Sequence, residues 1–199
     1  MSLNAGQAQS FLGPIIGKTA TFLVAGREAN LAFARAAVAF ATSTSRNCAV
    51  LDLDALYSSN ADSILASLPG GSVRLATFTV PDPGSEVERE LPRILSSEAE
   101  VVIIDSFNTL FHLLSYGDGS SRGRKLSFAV ASMSYLARTG RKAIIFTMYR
   151  RGGTWRHGAR PISDLSDVTA AIRVQDSELT VSCERGKAWP ERPFSIRIP

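Results

Sequence analysis

A chain of 199 residues, 45% hydrophobic and 20% charged, is long enough to bury one substantial core and is expected to form a single domain over residues 1–199. Its most apolar stretch, residues 31–41, is interrupted by Arg35 and falls far short of the roughly 18 residues a membrane span needs, so no membrane partner is expected. The start, MSLNAGQAQS, lacks the basic end, apolar centre and small-residue cleavage site of a secretory signal, which points to the cytoplasm, or to the nucleoid or nucleus.

The net charge of +4 hides an asymmetry. Between Gly119 and Ser163 stand ten basic residues (Arg122, Arg124, Lys125, Arg138, Arg141, Lys142, Arg150, Arg151, Arg156 and Arg160) and no acidic one; the rest of the chain holds 12 basic against 18 acidic. A positive surface aimed at a polyanion follows, nucleic acid foremost; the plainer reading is a solvated basic face with counter-charges elsewhere in the fold. Cys48 and Cys183 sit in apolar contexts without a CxxC neighbour, so both are read as buried packing residues.

In chain order, residues 1–12 read as a flexible lead. The stretch GPIIGKTATFLVAG (13–26) follows, with Gly-Lys-Thr behind an upstream glycine. A phosphate loop has the spacing G-x-x-x-x-G-K-[ST], follows a strand and opens a helix, whose N-terminus completes the anion site. Here the spacing is one residue short, no strand precedes it, and a strand follows Thr19. GPIIGKT is therefore read as a turn into the first core strand (21–26). The topological position of a phosphate loop is the next junction, where Arg27 and Glu28 stand in place of glycines and a Lys-Thr pair; Glu28 would repel phosphate.

The alanine-rich segment 28–43 has helical spacing, 47–54 reads as a strand, 62–68 as a short helix, 72–80 as a strand and 85–97 as a helix after the PDPG turn. EVVIIDS (100–106) is a strand of the kind buried on both faces, 125–140 an amphipathic helix closed by glycine, and 141–149 another buried strand. Residues 150–164 lack periodicity and read as a long loop. AAIRVQ, ELTVSCER and FSIRIP read as shorter strands, expected to be antiparallel additions at the C-terminal edge. The alternation of strands and helices predicts an α/β fold with a mostly parallel central sheet.

VVIIDS followed by FNTLFHLL, then KAIIFTMY, a basic loop with PISDLSDVTAAIRV, and LTVSCERGKAWPERPFSIRI resembles the ATPase core of the RecA/RadA recombinase superfamily and its KaiC-like relatives, over about residues 12–198. The resemblance implies a three-layer α/β/α RecA-like core. Asp105 matches the Walker B aspartate that in the family helps hold magnesium, and Asp54 falls where the family carries the glutamate that orients the attacking water. Thr147-Met148-Tyr149 stands where the family has Thr-Asn-Gln, without the glutamine that senses the γ-phosphate. Phosphoryl transfer depends on these parts and on the missing lysine cradle. Asp54 and Asp105 are accordingly read as remnants that cap or hydrogen-bond adjoining turns, with no catalytic residue, no metal, and neither ATP nor magnesium as cofactor.

In the family, two loops on this side of the fold line the DNA channel. Residues 115–125 and 149–163 occupy those positions, with Arg122, Arg124, Lys125, Arg150, Arg151, Arg156 and Arg160 to neutralise phosphates, Trp155 to stack on an unpaired base, and His157 beside it. The two histidines, His112 and His157, do not suggest a metal centre. The expected protein is a non-hydrolysing recombinase paralogue that binds DNA, single-stranded in the first place, and assists a recombinase or another paralogue in recombination or repair. The competing expectations are a KaiC-like ATP-driven switch with an atypical nucleotide site, and an interaction scaffold that contacts an acidic partner.

Overall fold

The structure, a computed structural model, describes residues 5–65, 75–79, 85–114, 122–149, 166–186, 189 and 193–197. Their elements in chain order are α1 (Ala5–Leu12), a 3₁₀ turn (Gly13–Ile15), β1 (Thr19–Val24), α2 (Arg27–Ser43), β2 (Cys48–Asp52), α3 (Leu56–Ser59), α4 (Ala61–Leu65), β3 (Leu75–Thr79), α5 (Ser85–Leu95), β4 (Val101–Asp105), α6 (Phe107–Leu114), α7 (Arg122–Thr139), β5 (Ala143–Tyr149), β6 (Val168–Gln175), β7 (Glu178–Arg185) and β8 (Phe194–Arg197). The eight strands form one sheet in the order β3-β2-β4-β5-β1-β6-β7-β8. The expected α/β fold with a mostly parallel sheet is what the chain adopts.

The apolar runs at β1, β2 and β4 are buried throughout, and β5 up to Tyr149, because helices cover both faces of the sheet. On one face Phe22, Val50, Ile103 and Ile145 pack with α1, α2 and residues of α3 and α4; on the other Leu51, Ile104 and Phe146 pack with α5, α6 and α7. The alanines of α2 keep its backbone close to the sheet, with Phe33 and Phe40 filling the space between.

Three expectations change. Residues 1–12 are not simply a flexible lead: they form α1 from Ala5, and Phe11 and Leu12 are buried. Trp189 Nε1 donates a 2.8 Å hydrogen bond to the Phe11 carbonyl, and the Phe11, Phe22 and Trp189 rings meet at centroid distances of 5.6–6.3 Å. β6 is not an antiparallel addition but lies parallel to β1, from Ala20↔Val168 to Val24↔Ile172; only β7 and β8 run antiparallel. Its first five residues are buried between β1 and β7, and exposure begins at Arg173, past the end of β1, while the pairing with β7 continues to Gln175. Cys48 is buried, but Cys183 is half-buried and its thiol faces the carbonyls of Arg185 and Gly186 at 3.4 Å.

Candidate functional site at the carboxyl ends of the strands

The crossover from β1 runs through α2 on one face, and β2 continues into α3 on that face, whereas β4 continues into α6 on the other. Neighbouring strands that send their helices to opposite faces leave a crevice at their carboxyl ends, the usual ligand position in open α/β sheets. Asp52, Asp105 and Tyr149 end β2, β4 and β5 at this edge.

Asp105 is fully buried. Asn30 Nδ2, from the first turns of α2, donates to its Oδ1 at 2.9 Å, and the Thr147 hydroxyl donates to the same oxygen. Its Oδ2 has no hydrogen-bond partner among the described residues, nor has Asn30 Oδ1. Burial raises the Asp105 carboxyl to about 6 although the Thr147 and Asn30 hydrogen bonds favour the anion, and the nearby Asp54 and Asp52 add to the rise. Asn30 Nδ2 also lies 2.6 Å from the Tyr149 hydroxyl, whose proton is held up to about 12 by burial and then by the Asp105 charge.

The main chain ties the same edge together. The Asp105 carbonyl accepts from the N–H groups of Leu53 (2.6 Å) and Asp54 (3.2 Å), and Asn108 Oδ1 accepts the Tyr149 N–H at 3.0 Å. Asp54 is exposed and accepts the Thr109 hydroxyl of α6. Asp52, which sequence reading did not single out, accepts from Ser58 N (2.8 Å) and Tyr57 N (3.3 Å) and so caps α3. A cleft of about 460 Å³ opens beside these groups, lined by Arg27, Asp54, Ala55, Leu56, Ser59 and Tyr149; Asp105 is not in its wall.

The link from β1 to α2 is only Ala25 and Gly26. Gly26 has a φ of 145°, a conformation that side chains disfavour, and this lets the chain turn directly into the helix. The Gly-Lys-Thr motif lies at the opposite end of β1. There Lys18 Nζ donates to the Pro14 carbonyl at 2.9 Å, Gly17 N donates to the Lys142 carbonyl, and Thr19 begins the strand.

Arg122, Arg124 and Lys125 stand in the first turn of α7, which contains no acidic residue. β4 and β5 are parallel and α7 packs on β5, so α7 runs back along the sheet and its first turn lies at the edge where Tyr149 ends β5. Arg150, Arg151, Trp155, Arg156, His157 and Arg160 lie outside the described residues. His112 is exposed on α6 with its ring 5.8 Å from that of Phe111. Among the described residues no three His, Cys, Asp or Glu side chains are gathered as metal ligands, and no helix is long and apolar enough to cross a membrane.

Besides Asp52, Asn30 and Asn108 are site residues that the sequence reading missed. A lone asparagine inside the apolar α2 pattern is the only signal Asn30 leaves. No protein-family model and no curated protein matches this chain.

Proposed function

We propose that this chain is a non-hydrolysing paralogue of the RecA/RadA-like recombinases, with a RecA-like three-layer core, that binds DNA through its two basic segments and assists a recombinase or another paralogue. The observation that carries the DNA part is the position of the first turn of α7: Arg122, Arg124 and Lys125 start at the same sheet edge from which residue 150 departs, so both basic segments issue from one end of the sheet. Cations in the first turn of a helix oppose its dipole at a cost of about 0.3–1 kcal/mol each, a cost that a bound phosphate reverses. A single strand suits the combination of arginines with Trp155, since stacking of an unpaired base contributes roughly 1–3 kcal/mol.

The absence of hydrolysis is supported by the residues at the nucleotide position. A two-residue link leaves no backbone loop to cradle phosphates, and Asp105 is turned to Asn30 and Thr147 rather than to the cleft, so these residues do not fit a magnesium-bound nucleotide held as in the family. Two experiments test the reading. A single-stranded oligonucleotide titrated at several salt concentrations should bind and weaken steeply with salt. Calorimetry with magnesium and ATP should give no heat of binding; micromolar affinity with turnover favours the ATP-driven switch instead.

A further inference from the structure

We draw no further inference here: the strongest candidate, the buried side chains of Asn30, Tyr57 and Asp105 at the carboxyl edge of the sheet, whose Oδ1, hydroxyl and Oδ2 atoms have no hydrogen-bond partner among the described residues, belongs to the site already described, at the position where the resembled family holds its magnesium.

Discussion

Asn30 in α2 and Asp105 at the end of β4, 75 residues apart in sequence, meet in a buried 2.9 Å hydrogen bond, and the same amide nitrogen reaches the Tyr149 hydroxyl at 2.6 Å. One side chain thus joins the helix after β1, the end of β4 and the end of β5. The Asp105 carboxylate is thereby tied into the fold by Asn30 and Thr147.

Ionising Asp105 is costly, and the sign of the pH effect follows. Its folded carboxyl is raised from 3.8 to about 6, so the folded chain holds a proton that the unfolded chain has released. That contribution to stability is complete below pH 3.8 and is lost as pH rises through 6, by at most about 3 kcal/mol at 1.36 kcal/mol per unit. Asp105→Asn should therefore gain stability over the parent at pH 8 and none at pH 4, as read from urea unfolding at the two pH values. A difference between variant and parent that does not change with pH contradicts the burial account.

Asp167 behaves in the opposite sense. Partial burial works against its charge, but the Thr19 N–H and hydroxyl, each at 2.9 Å, and the Arg138 guanidinium together hold its carboxyl below the usual value. The stability it supplies is present above pH 3.8 and is lost as pH falls through its lowered folded value. Asp167→Ala should cost about 1–3 kcal/mol at neutral pH, with the gap to the parent narrowing in acid. A gap that persists undiminished at pH 2 would refute the assignment.

Trp189 is the tie between the two ends of the chain. Its indole packs against Phe11 and Phe22 and donates to the Phe11 carbonyl. Trp189→Ala should cost about 3–5 kcal/mol, and Trp189→Phe distinctly less, measured by denaturant unfolding. A loss below about 1 kcal/mol for the alanine variant would mean that α1 is not held by this contact.

The parallel core was legible because β1, β2, β4 and β5 are buried on both faces and therefore read as unbroken apolar runs. The parallel placement of β6 was not, because its buried first half and exposed tail resemble an alternating edge strand. α1 escaped because AGQAQSFL offers only Phe11 and Leu12 to a core, and the residue that fixes it, Trp189, lies 178 positions away. At the site, Asp105 was visible as the end of an apolar strand. The partners that decide its protonation, Asn30 and Thr147, come together only through the crossover of α2 and the adjacency of β4 and β5.

Binding of a single-stranded oligonucleotide to the full chain, followed from about 50 to about 200 mM salt, separates the DNA-binding reading from its rivals. The logarithm of affinity should fall linearly with the logarithm of salt, with a slope of about −0.7 per phosphate neutralised. Replacing Arg150, Arg151 and Arg156 together with glutamate should abolish binding, a loss of at least roughly 100-fold, while the unfolding midpoint stays unchanged. Undetectable binding at the lowest salt, or full affinity in the glutamate variant, would contradict it.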